Sequence, residues 1–140
     1  MNRVVRRTLS GRKQEDMKLI YHHPKEKYSR SPFDIAIADI VKGQFIRIAC
    51  PYIGLDYFKN SIVTQCSDFI LLTDVNELIS SCRNYSSIDE LMTFIKKYQN
   101  RIKHLSGLHS KVIISATCAF FGSANFTKSG ITERNELSAV

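Results

Sequence analysis

The chain has 140 residues, 44% of them apolar, enough to close one hydrophobic core and too few for two ordinary domains. Lys and Arg number 20 against 13 Asp and Glu, and the resulting formal charge of +7 favours polyanionic partners such as nucleic acid or an anionic membrane surface. Apolar runs of about ten residues or fewer fall short of the roughly 20 that cross a bilayer, and no apolar h-region follows the basic N-terminus, so a cytoplasmic protein without stable membrane insertion is expected.

Residues 1–31 hold nine Lys or Arg against Glu15, Asp16 and Glu26, with one strand-like stretch at Lys18–Tyr21. This composition reads as a basic arm ahead of a folded domain over residues 32–140. After Ser31-Pro32, Phe33, Ala36, Ile37, Ile40 and Val41 recur at helical spacing, and Gly43 stands where a helix ends. Phe45–Cys50 is a strand-like run stopped by Pro51. Leu55, Phe58 and Ile62 then mark a helix, and Phe69–Thr73 is a second strand-like run. Strand, helix and strand in that order imply a right-handed crossover and parallel pairing.

Two further helices are expected, one lined by Val75, Leu78, Ile79 and Cys82, the next by Ile88, Leu91, Met92, Ile95 and Tyr98, with Ser87 and Glu90 as its capping box. Beyond Gly107, Lys111–Ser115 and Cys118–Gly122 read as two buried strands separated by Ala116-Thr117, which only a hairpin can join. The sum is an α/β fold, a mixed sheet flanked by helices. An apolar stretch begins at Leu137 and the sequence stops at Val140, as if a strand were cut short. A C-terminally truncated chain is therefore expected.

Cys50, Cys66, Cys82 and Cys118 form no CxxC pair and no Cys/His cluster at ligand spacing. They read as reduced, mostly buried thiols, and neither a metal nor any other cofactor is expected.

The chemistry concentrates in residues 108–137. Alternate side chains of an extended strand share a face, so His109 and Lys111 project together while Ser110 points away. The second hairpin strand delivers Gly122-Ser123-Ala124-Asn125: a glycine that lets backbone come close to a ligand, with Ser123 and Asn125 offering hydrogen bonds from one side. Donors on both strands can surround a tetrahedral anion. A short helix opened by Asn125-Phe126-Thr127 and ending near Gly130 would add free N–H groups.

This pattern, His109-Ser110-Lys111 followed by Gly122-Ser123-x-Asn125-Phe126-Thr127, resembles the HxK…GSxN signature of the phospholipase D superfamily, and its nuclease-type members in particular. There GSxNFT precedes a basic, polar stretch and a glutamate, places held here by Lys128, Arg134 and Glu136. The resemblance implies a half-domain of phospholipase D-like fold and a metal-independent, ping-pong phosphodiesterase. One histidine attacks phosphorus and forms a phosphohistidine; a second protonates the leaving oxygen and then activates water. Carried over by position, His109 is the nucleophile or its acid/base twin, Lys111 and Asn125 bind phosphoryl oxygens, Ser123 and Gly122 assist, and Glu136 orients the imidazole.

Only one HxK is present. The resemblance therefore implies a second half, supplied by a homodimer or by another copy of the motif; His22, His23 and His104 lack a lysine two residues on and read as ordinary histidines. The family's aspartate five positions after the lysine is Ala116 here, and the spacing to Gly122 is one residue short. Three functions remain open at this stage: a nuclease, with DNA favoured over RNA and preferred on charge; a phospholipase or phosphatidyl transferase; and an inactive binding or dimerisation module, which Ala116 favours.

Overall fold

Period-two alternation decides which residues the sheet buries. The computed structural model describes residues 17–22, 30–132 and 136–140; most of the basic arm, His23 and Arg134 lie outside these. The described strands are β1 (Leu19–His22), β2 (Phe45–Ala49), β3 (Asp68–Thr73), β4 (Ile102–His104), β5 (Val112–Ile114), β6 (Ala119–Gly122) and β7 (Glu136–Ala139), arranged as β1-β7-β6-β5-β2-β3-β4. β2, β3 and β4 pair in parallel, and the remaining neighbours pair antiparallel.

The strand-like stretch near Lys18 is part of this sheet: β1 pairs with β7, and Ile20 is buried. The fold thus takes in residues within the segment that charge marked as an arm. β4 was not anticipated, because Ile-Lys-His carries too little apolar patterning; its pairing comes from Leu71 and Leu72 of β3.

Helix α1 (Pro32–Val41) starts where Ser31 accepts the Phe33 N–H, and it buries Phe33, Ile37, Ile40 and Val41. The same Ser31 hydroxyl donates to the Ile131 carbonyl at 2.6 Å, tying α1 to the chain beyond the hairpin. Gly43, at φ 67, takes the left-handed conformation expected past a helix end. The helix marked by Leu55, Phe58 and Ile62 opens as α2 (Leu55–Tyr57) and widens into a π-helical segment, Phe58–Val63, that buries Phe58 and Ile62.

The second crossover carries α3 (Val75–Ser80) and α4 (Tyr85–Lys97). α4 starts earlier than the Ser87–Glu90 box suggested. Asn84 is its cap, accepting from the Ser87 N–H at 2.8 Å and the Ser87 hydroxyl at 2.9 Å, so Ser87 lies inside the helix. β2–β3 and β3–β4 advance across the sheet in one direction, so right-handed crossovers carry both connections over one face.

That face holds the core. Ile46, Ile48, Phe69, Leu71, Ile113 and Phe120 point into it, and edge-on aromatic contacts join it to the helices: Phe33 to Phe120 at 5.8 Å and Phe58 to Phe69 at 5.6 Å. Each fully buried side chain of this size contributes about 1.5–3 kcal/mol. The hairpin strands are buried on this side only, not through and through, since Ile114 and Phe121 on the opposite face are 42% and 48% exposed.

Candidate active site

The antiparallel partnering of β5 with β2 sets the location. Val112 lies opposite Ala49, so Lys111, just before β5, comes to the carboxyl end of β2, beside Cys50. Ligands of open α/β sheets bind at such carboxyl ends. His109, Lys111, the Gly122–Asn125 turn, Cys50 and Asp74 all gather at this edge.

The Lys111 ammonium stands 3.0 Å from His109 Nδ1 and donates to the His109 carbonyl at 3.1 Å. An ammonium carries only donors, so Nδ1 serves as acceptor in this contact. The next chain crossing is held by the Gly122 N–H, which donates to the Lys111 carbonyl at 3.2 Å.

Asn125 follows, between Ala124 and Phe126, both fully buried. Phe126 forms a parallel bridge with Ile53, and its carbonyl accepts from Gly54 N–H at 2.9 Å. Gly54 fits tightly here, because a Cβ would stand 3.3 Å from Thr127 Cα. Buried Cys50 completes the floor: its thiol donates to the Tyr52 carbonyl at 2.9 Å and lies 3.8 Å from Asn125 Oδ1. Burial pushes this thiol's pKa up, while the Phe126 and Tyr52 backbone and the Lys111 charge pull it down. Cys50 thus touches the Asn125 amide and lies within the field of Lys111.

Ser123 turns elsewhere. Its hydroxyl exchanges hydrogen bonds with the Leu137 backbone, at 3.4 Å to the carbonyl and 3.3 Å from the N–H, so it joins the turn to β7. Gly122 is required by the same strand: a Cβ there would lie 2.5 Å from the Leu137 carbonyl oxygen and 2.7 Å from Ser138 Cα. The close approach that this glycine permits is to β7. Glu136 opens β7 opposite His22; only their backbone placement is described.

After the turn, α5 runs over Lys128–Thr132, past Gly130. Gly130 is buried inside it, where a Cβ would collide with the Asn125 backbone, and its N–H donates to the Thr127 hydroxyl at 2.9 Å. The expected helix end at Gly130 is therefore a packing contact that fixes Asn125.

Ala116 sits in the turn closing the β5–β6 hairpin, at the far end of β5 from Lys111. The three residues of β5 lie between them, about 10 Å of strand rise. Ser115 organises this turn instead, its hydroxyl accepting from the Cys118 N–H at 3.1 Å and the Thr117 N–H at 3.4 Å. The missing aspartate therefore leaves no gap beside His109 and Lys111.

Cys50 and Asp74 escaped the sequence reading. Each immediately follows a parallel strand, and that position was the signal available. His104 is half-exposed, and its Nδ1 accepts the Val75 N–H at 3.1 Å, as befits a structural histidine. The four cysteines are unpaired, no group of three or more His, Cys, Asp or Glu that could hold a metal occurs among the described residues, and no described helix is long and apolar enough to cross a membrane.

No family model matches the sequence, and no curated protein matches it. Solved structures do match. Nuc from Salmonella typhimurium, a phospholipase D family member, shares 19% identity over 88% of this chain and 80% of its own, with a TM-score of 0.59. NucT from Helicobacter pylori shares 17% over 88% and 82%, with a TM-score of 0.61. A mutant of yeast tyrosyl-DNA phosphodiesterase 1 shares 13% over 88% of this chain and 31% of its own, with a TM-score of 0.53. The seven-stranded mixed sheet with its helices is accordingly a phospholipase D-type fold.

Proposed function

We propose that this chain is one half of a metal-independent phosphodiesterase that hydrolyses nucleic acid, DNA before RNA, through a phosphohistidine. The observation that carries this reading is the meeting of Lys111 Nζ with His109 Nδ1 at 3.0 Å, where the Gly122 N–H of the Asn125 turn donates to the Lys111 carbonyl. Both stand at the carboxyl end of β2, so on this reading an ammonium, an amide and an imidazole are offered to a phosphoryl group there.

With the ammonium on Nδ1, the neutral ring keeps its proton on Nε2, which is a resting arrangement. A bound phosphate competes for the ammonium and draws it onto a phosphoryl oxygen. Nδ1 can then hold the proton, with Glu136 as its expected acceptor, and Nε2 is free to attack. Attack forms a P–N bond and breaks the P–O bond to the leaving oxygen, which takes a proton from the second histidine. That histidine then removes a proton from water, and the water oxygen displaces His109 from phosphorus. Lys111 and Asn125 offset the charge that develops on the equatorial oxygens, the part a metal plays elsewhere.

These 140 residues hold a single HxK, so on this reading the second histidine comes from another copy of the motif, in a symmetric homodimer or in a second half. The formal charge of +7 and the exposed Lys128 on α5, just past the turn, favour a nucleic-acid backbone over a lipid surface. With Ala116 remote from His109, the inactive-module reading loses its main support.

The test is cleavage of end-labelled oligonucleotides by purified protein in EDTA, beside His109→Ala and Lys111→Ala. EDTA-resistant cleavage lost in both variants supports the proposal. Binding without cleavage points to a phosphate-binding module, and activity confined to lipid vesicles points to a phospholipase.

A further inference from the structure

We infer that Asp74, at the carboxyl end of β3, is a positioning residue that clamps the loop presenting His109. This rests on the reading of His109 proposed above.

Asp74 is only 4% exposed, yet its carboxylate divides between two elements. Oδ1 caps α3, accepting from the Asn76 N–H at 3.1 Å and the Glu77 N–H at 3.3 Å. Oδ2 accepts from the Gly107 N–H at 2.8 Å, the shortest of the three bonds. Gly107 lies two residues before His109 and has φ 72. The same wrap is fastened on either side: the Leu105 N–H donates to the Thr73 carbonyl at 2.9 Å, and the Val75 N–H to His104 Nδ1 at 3.1 Å. Since that contact needs His104 Nδ1 unprotonated, its 3.9 Å approach to Asp74 Oδ1 is not an ion pair.

Gly107 has no atom within 4 Å of a would-be Cβ, and His109 and Ser110 are exposed. Packing therefore does little to place this loop. A charge-assisted hydrogen bond from a buried carboxylate is the kind of contact that can replace packing in fixing it. The cap of α3 explains one oxygen of Asp74; the other serves only the His109 loop.

The side chain's two duties allow them to be separated. Asn is as good a helix cap as Asp, but its amide has one acceptor atom where the carboxylate has two. Asp74→Asn thus cannot satisfy α3 and Gly107 together, and Asp74→Ala satisfies neither. The experiment measures kcat and KM on an oligonucleotide in EDTA together with residue-resolved amide exchange, for wild type, both variants and His109→Ala. The inference expects faster exchange at Gly107 in each variant, with a matching fall in kcat on the order of tenfold or more and KM within about threefold, since misplacing a reacting group by an ångström costs about a hundredfold.

Two results overturn the inference: Gly107 protection surviving in Asp74→Ala, or Gly107 exchange accelerating tenfold while kcat stays within twofold of wild type. A wild type that does not cleave, or that cleaves equally with His109→Ala, sinks the proposed function instead. Gly107 exchange alone then decides whether the clamp exists.

Discussion

The two sides of the cradle are built on different principles. On the Asn125 side, Ala124 and Phe126 are fully buried, Gly130 packs against the backbone of the turn, Gly54 hydrogen-bonds to Phe126, and Cys50 lies under the amide. On the other side, His109 is exposed, and its loop is fastened by hydrogen bonds to Asp74 and Thr73. One side is placed by packing, which is stiff and costly to disturb. The other is placed by a few directional hydrogen bonds. Under the proposed mechanism, a group that takes phosphorus and gives it back suits the second arrangement, and a group that only holds oxygens suits the first.

Substitutions on the two sides should have different effects. The largest effect expected is on chemistry: His109→Ala lowers kcat by about a thousandfold or more while thermal unfolding stays near wild type, because an exposed side chain contributes little to the core. A large loss of stability in that variant would mean that the histidine is structural. Phe126→Ala should show the reverse, costing about 3–5 kcal/mol in denaturant unfolding as the packed side collapses.

Next come the glycines. Gly130→Ala forces a methyl group against the Asn125 backbone and should cost about 1–3 kcal/mol, with phosphate binding weakened alongside. Gly107→Ala meets open space and suffers only from its positive φ, about 1–2 kcal/mol, with the loss falling on kcat rather than on binding. Equal binding defects in the two variants would erase the distinction.

A pH effect follows from Asp74. Its carboxyl is held below the usual range first by the Gly107 N–H, then by the Glu77 and Asn76 N–H groups, against the opposing effect of burial. A carboxylate with a lowered folded-state pKa stabilises the protein above its ordinary value, and that stability is lost as pH falls through the lowered one. Chemical denaturation from pH 7 into the acid range should therefore show a decline that is shallower in Asp74→Asn. The smallest effect expected is at Lys128: Lys128→Ala should weaken oligonucleotide binding uniformly across sequences and reduce the salt slope by about one.

Much of this was readable from residue patterns, for identifiable reasons. β2, β3, the hairpin and α1 carry strong periodicity, and their pairing follows from short connections and the crossover rule. The approach of His109 to Lys111 follows from their spacing, two residues apart in extended chain. The packing of Gly122 against β7 is not legible locally, because Leu137 lies 14 residues beyond Ser123, a contact no local pattern encodes. Cys50 and Asp74 were missed because each is a common core or capping residue by itself, and only the sheet's topology brings them to the edge where His109 lies. β4 was missed because the strand it lies against, not its own composition, makes it a strand.

In the proposed mechanism His109 attacks phosphorus. The direct measurement is rapid quenching of the protein with a labelled oligonucleotide in EDTA, followed by peptide mapping of any covalent adduct. An alkali-stable, acid-labile phosphoramidate is expected on the peptide containing His109, absent from His109→Ala. Cleavage that proceeds at full rate with no adduct, or that requires a divalent metal, would contradict it.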